Sequence, residues 1–154
     1  YAIGSAPIIG YHYGAINHSE LKNMLKKSII IMSISGVIMT LLAQALALPI
    51  AKVFVGYDEG LFDMTVHAFR VFSFSFILAG INIFASSFFT ALNNGAVSAA
   101  ISFLRTLIFQ STAVIVLPMI CELDGIWLSI TVAEVFALII SVTFLAAKRK
   151  KYNY

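Results

Sequence analysis

Ser28 to Ile50 reads SIIIMSISGVIMTLLAQALALPI, 23 residues without one charged side chain. At a helical rise of about 1.5 Å per residue this run reaches about 35 Å, enough to cross a hydrocarbon core of about 30 Å. It is too long for a buried strand, and in hydrocarbon only a helix satisfies every backbone group within its own segment. Three more runs share the property. Val71 to Leu92 carries no charge and lies between Arg70 and the turn signal Asn93-Asn94-Gly95. Ala96 to Ile120 is apolar apart from Arg105, and Gly125 to Ala147 apart from Glu134. The four runs predict an all-α membrane protein, a bundle of transmembrane helices at 28–50, 71–92, 96–120 and 125–147.

Composition points the same way. Of 154 residues 60% are hydrophobic and 11% charged, with a mean hydropathy of +0.96, whereas soluble domains carry about 25% charged residues. A soluble globular domain is excluded. The single cysteine, Cys121, allows no internal disulfide and belongs to no CxxC or Cys/His cluster, so redox chemistry has no support. The net charge of +3 comes from basic residues that flank apolar runs rather than stripe a polar domain. Membrane lipids with anionic headgroups are therefore the expected partner, and nucleic acid is not.

The apolar stretch 1–16 would span only about 24 Å as a helix, and it lacks the basic start and cleavage site of a signal peptide. It is expected to be the end of a truncated transmembrane helix, followed by a cytoplasmic loop at 17–27 and, after the four spans within 28–147, a cytoplasmic tail at 148–154. On this reading the chain is the C-terminal part of a longer polytopic protein, and function is shared with the missing N-terminal part.

Four spans place the loops alternately on two sides. One side holds Lys22, Lys26, Lys27, Lys148, Arg149, Lys150 and Lys151, the other only Lys52 and Arg70. The positive-inside rule makes the first side cytoplasmic, with the C-terminus there, and predicts a multi-pass protein of the inner (plasma) membrane. Asp58, Glu59, Asp63, Glu122 and Asp124 then gather outside. Residues 57–70 mix acids with Leu61, Phe62, Met64, Val66 and Phe69 and predict an interfacial helix leading into the second span. His67 has no second His or Cys at ligand spacing, so it reads as an interfacial polar tip and no metal site is assigned.

Within the second span, Ser75, Ala79, Asn82, Ser86 and Thr90 recur at helical steps and share one face. Ser33, Gly36, Thr40, Gln44 and Ala47 form a similar face on the first. Such faces are where membrane helices pack; the other reading is a water-accessible cavity, for which Asn82, Ser86 and Gln44 are the substrate candidates. Arg105 and Glu134 are charges inside spans, at similar depth when counted from opposite ends. Intramembrane charges are costly and pair or mark a pathway. The alternative is that Arg105 snorkels to the headgroups and Glu134 hydrogen-bonds alone.

The opening Gly4-Ser-Ala-Pro7-Ile-Ile-Gly10-Tyr-His-Tyr-Gly14-Ala15 resembles the end of the eighth helix of multidrug and toxic compound extrusion (MATE) transporters, with Pro7, Gly10 and Gly14 as a helix-packing motif. Pro49-Ile50 with Phe54, Arg70, Phe89-Thr90-Ala91-Leu92, Ser102-x-x-Arg105 and Gly125-Ile126-Trp127 are similar to that family in order and spacing. The resemblance implies part of the C-terminal six-helix lobe of a two-lobed, twelve-helix fold. It also implies secondary active export of small cationic or amphipathic compounds, coupled to the ion Na⁺ or H⁺, with no other cofactor. One branch of the family carries an acid in the tenth helix. Here that span has no carboxylate and holds Gly80 at about that position, so coupling is expected to depend on acids upstream.

The other functions weighed are a lipid-linked oligosaccharide flippase of the same superfamily and a non-transporting membrane assembly protein. A flippase would line its cavity with several basic residues, and only Arg105 is available. An intramembrane protease would need paired Asp, a Ser/His pair or HExxH inside the spans; none occurs, and an enzyme is not expected.

Overall fold

A computed structural model describes all 154 residues, and every regular element in it is helical. Helix α1 spans Ala2–Gly14, α2 His18–Val55, α3 Glu59–Ser73, α4 Ser75–Ala91 and α5 Gly95–Phe103. A π-helical segment, Leu104–Gln110, continues α5 into α6, Ser111–Tyr152. Three continuous helical stretches, His18–Val55, Glu59–Ala91 and Gly95–Tyr152, are long and apolar enough to cross a membrane. Only 29 of the 154 residues are buried, so most apolar side chains on these helices face outward, as lipid or further protein demands.

The third stretch doubles back. Glu122 has φ 51° and ψ −130°, a non-helical conformation that reverses α6 and leaves two limbs, 111–121 and 123–152. Pro118 lies one turn before the reversal, where its missing N–H weakens the helix. Gly125 follows it, and a Cβ there would fall 2.3 Å from the Leu117 carbonyl oxygen, so only glycine lets the limbs start this close. Beyond the reversal the second limb packs against the π-helical segment, with the Phe109 and Phe136 rings 5.8 Å apart.

One expectation about the loops needs correction. Residues 17–27, read as a loop, are helical almost throughout, because Asn17 accepts a hydrogen bond from the Glu20 amide and starts α2 before the lysines. The polar lysine side chains reach water from a helix as readily as from a loop. The stretch 148–154 packs on the bundle: α6 runs to Tyr152, Asn153 caps it in the left-handed region at φ 54°, and Tyr152 and Tyr154 are buried. Tyr152 Oη accepts from Asn94 Nδ2 at 2.9 Å, and the Tyr154 ring meets Phe88 edge-on with centroids 5.1 Å apart. The basic run KRKK suggests solvation, but the aromatic residues after it carry the chain back onto the core.

The helix 59–91 breaks at Phe74, between α3 and α4. A break inside a membrane frees carbonyls that a neighbour must satisfy. Helix α2 does so: Thr40 Oγ1 donates to the Ser73 carbonyl at 3.1 Å and Gln44 Nε2 to the Arg70 carbonyl at 2.9 Å. Close approach of the helices permits this. Gly36 faces the α4 backbone, where a Cβ would fall 2.7 Å from the Phe76 carbonyl oxygen. The core itself is aromatic and sits toward the α4–α5 turn, with Phe84, Phe88 and Phe89 fully buried against Ile9, Leu21, Leu92 and Ile101.

Candidate functional site

Among the apolar helices a charged cluster gathers around one buried carboxylate. Glu134, on the second limb of α6, is 5% exposed and offers one carboxylate oxygen to each of two partners. Oε1 accepts from Arg105 Nε at 2.8 Å and Nη2 at 2.5 Å. Oε2 accepts from Asn82 Nδ2 at 2.7 Å, and the same amide nitrogen donates to the Glu134 backbone carbonyl at 3.0 Å. The three residues come from α4, the π-helical segment and α6, so the cluster ties three elements at one point. Its charges cancel, which makes burial in hydrocarbon tolerable, and charge-assisted hydrogen bonds of this kind are about twice as strong as neutral ones.

Both charges belong to opposite limbs of a hairpin. In a straight helix the 29 residue steps from Arg105 to Glu134 would separate them by about 43 Å; the reversal at Glu122 brings them into contact. Arg105 lies on the second residue of the π-helical segment, Leu104–Gln110. Such segments are rare and recur at functional sites, because the widened turn re-aims a side chain.

Beside the cluster a row of hydroxyls joins α4 to α5. Ser86 Oγ lies 2.9 Å from Ser98 Oγ and 2.8 Å from Ser102 Oγ, and Thr90 Oγ1 lies 2.7 Å from Ser98 Oγ. A pocket of about 210 Å³ opens here, with Asn82, Ser86, Ser87, Ser102 and Arg105 among its lining. Asn82 is completely buried, and its Oδ1 accepts no hydrogen bond from the protein. An unpaired buried acceptor costs about 1–3 kcal/mol, so this oxygen is a standing acceptor for a donor that enters the pocket. The pocket is polar yet uncharged overall: amide oxygen, hydroxyls and a neutralised guanidinium.

The residues singled out in sequence thus part company. Asn82, Ser86, Arg105 and Glu134 lie together. Gln44 does not join them; its amide is taken by the Arg70 carbonyl and by Ser73 Oγ at 2.8 Å, where it repairs the α3–α4 break. In the Pro7, Gly10, Gly14 motif only Gly10 meets another helix, with its added Cβ 3.4 Å from the Ala91 carbonyl oxygen; Gly14 has open space around it and Pro7 is exposed. Phe84 is in the core and Phe76 half-buried against Phe72. His67 Nε2 lies 2.8 Å from Asp124 Oδ1, a contact between α3 and the α6 reversal with both side chains 56% exposed. Sequence reading missed two features, the bond from Asn82 to Glu134 and the hydroxyl row. The signal for the row was present in the facing stripes Ser86/Thr90 and Ser98/Ser102.

Residues 1–115 match the family model MatE. The chain belongs to the MatE family. No curated protein matches it in sequence. Solved structures of MATE transporters share its fold. VcmN of Vibrio cholerae in its bent form superposes with a TM-score of 0.89 at 16% identity, over 99% of this chain and 34% of that one. The inward-facing conformation of a multidrug resistance MATE family transporter of the MOP superfamily gives 0.88 at 20% identity, over 99% and 36%. The chain therefore spans about a third of the length of the MATE transporters whose fold it shares. It is a membrane protein, and the polar cluster of Asn82, Arg105 and Glu134 lies inside the helical bundle of a MatE-family fold.

Proposed function

We propose that the chain forms part of a secondary active efflux transporter, a cation-coupled antiporter of the inner (plasma) membrane that exports small cationic or amphipathic compounds in exchange for Na⁺ or H⁺. Family membership supports transport, and the observation that carries the site is the Asn82–Arg105–Glu134 cluster, its amide and carboxylate buried, beside a polar pocket in otherwise apolar helices. Glu134 cancels the charge of Arg105, so a cationic compound beside the pocket meets hydroxyls and the Asn82 carbonyl oxygen rather than a bare guanidinium. The same pairing leaves no free carboxylate in the spans, and the acid that binds the coupling ion is supplied by the rest of the protein. The cluster fastens α4, the π-helical segment and α6 together, which lets them move as a unit during rocking of the lobes. The C-terminus lies in the cytoplasm, on the side of the seven basic residues.

The test uses the full-length protein in proteoliposomes with an imposed Na⁺ or proton gradient. Ethidium should move against its own gradient when either ion gradient is present and stop when it is collapsed. Asn82→Ala should slow that movement several-fold with normal insertion. Movement that ignores both gradients, or transport of a lipid-linked oligosaccharide without any organic cation, contradicts the proposal.

A further inference from the structure

At the lysine-rich end of the bundle, α2 and the second limb of α6, which both pack against α4, flank a groove of about 480 Å³. Its floor is apolar: Ile29 and Ile30 come from α2, Val142 and Leu145 from α6. Its rim carries Lys22 and Lys26 from α2 and Arg149 from α6. The pattern follows helical spacing on both walls. Positions 22, 26 and 29 lie on one face of α2, and 149, 145 and 142 on one face of α6, so each wall passes from a cation to aliphatic side chains in the same direction. No acidic side chain is paired with any of the three cations. Arg149 Nε donates at 3.3 Å to the main-chain oxygen of Tyr154, which also lines the groove, and its terminal nitrogens make no hydrogen bond. Ile30 and Val142 are 46% and 53% exposed, so the floor is open along its length.

We propose that this groove is a binding site for one anionic phospholipid, with the headgroup phosphate on Lys22, Lys26 and Arg149 and an acyl chain along Ile29, Ile30 and Val142. Three cations lining one end of an apolar channel match a phosphate joined to a hydrocarbon chain, and basic pockets between membrane helices hold anionic headgroups in this way. A zwitterionic lipid fits less well, since its own ammonium would stand among three cations. The site is separate from the pocket at Asn82, and it holds whether or not the protein is an antiporter.

Native mass spectrometry of the full-length protein, purified in detergent and titrated with phosphatidylglycerol or phosphatidylcholine, reads the site directly. One phosphatidylglycerol should be retained, with phosphatidylcholine at least about tenfold weaker. The triple change Lys22→Gln, Lys26→Gln, Arg149→Gln should remove that preference. Lys148→Gln, Lys150→Gln, Lys151→Gln deletes the same charge outside the groove and should keep it. Val142→Trp fills the groove without touching a cation and should weaken phosphatidylglycerol binding, which keeps the test decisive if the first triple variant expresses poorly. Equal binding of the two lipids, no retained phosphatidylglycerol, equal loss in both triple variants, or unchanged binding in Val142→Trp would each overturn the proposal.

Discussion

Glu134 Oε2 lies 2.7 Å from Asn82 Nδ2, on the side of the carboxylate away from Arg105. This bond makes Asn82 part of the ion pair's support as well as a wall of the pocket. Leucine at position 82 would leave Oε2 without a partner in an apolar setting, at about 1–3 kcal/mol. Asn82→Leu should therefore lower thermal stability of the full-length protein, whereas Asn82→Gln, which can still donate, should recover part of the loss. Equal stability of all three proteins would show that Oε2 finds another donor.

Gly36 and Gly80 provide a contrast on the α2–α4 contact. A Cβ on Gly36 would meet the α4 backbone at 2.7 Å, while on Gly80 its nearest neighbour is Met32 Sδ at 3.5 Å, an ordinary contact. Gly36→Ala should cost about 1–3 kcal/mol, because the helices must separate, and Gly80→Ala should be near neutral. Melting of the purified full-length protein checks both; equal effects would contradict the packing described.

Gln44 separates a structural role from a cavity role. Its amide holds the Arg70 carbonyl and Ser73 Oγ at the α3–α4 break. Gln44→Leu should lower stability by about 1 kcal/mol, in line with interhelical hydrogen bonds in membranes, and leave the order of preferred substrates unchanged. A change in that order at normal stability would return Gln44 to the cavity.

Burial raises the Tyr154 pKa to about 12 from 10.0, with the neighbouring Tyr152 a second cause. The neutral phenol is thus the form that docks. Its contribution to holding the chain end is present below pH 10 and is lost as pH rises through about 12. In a phenolate absorbance titration of the full-length protein, Tyr154→Phe should remove a step at the high end of the curve; loss of a step near the ordinary tyrosine value would show that the ring is free.

The membrane fold could be read from run length and charge, because hydrocarbon leaves the backbone few alternatives. Arg105 and Glu134 stood out for the same reason, since charge is rare inside spans. What stayed hidden were features that depend on how elements meet. Gln44 and Asn82 look alike in sequence, each a carboxamide on a small-residue face, and only the break at Phe74 and the position of Glu134 decide where each amide goes. The burial of Tyr152 and Tyr154 was masked by the basic residues before them, whose solvation says nothing about the aromatics that follow. The break itself has no proline or glycine to announce it.

The most direct measurement is a double-mutant cycle at Arg105 and Glu134 in the full-length protein, read by thermal stability and by gradient-driven ethidium transport. Removing one member of the pair leaves an uncompensated charge: Arg105→Leu strands the buried Glu134 and should cost about 3–5 kcal/mol, and Glu134→Leu should cost less because Arg105 is partly exposed. The double change should cost less than either single one, which makes the coupling energy at least about 3 kcal/mol, and should impair transport more than stability. Single changes that are harmless, or a double change equal to their sum, would contradict the account: Arg105 and Glu134 would then not act as a pair.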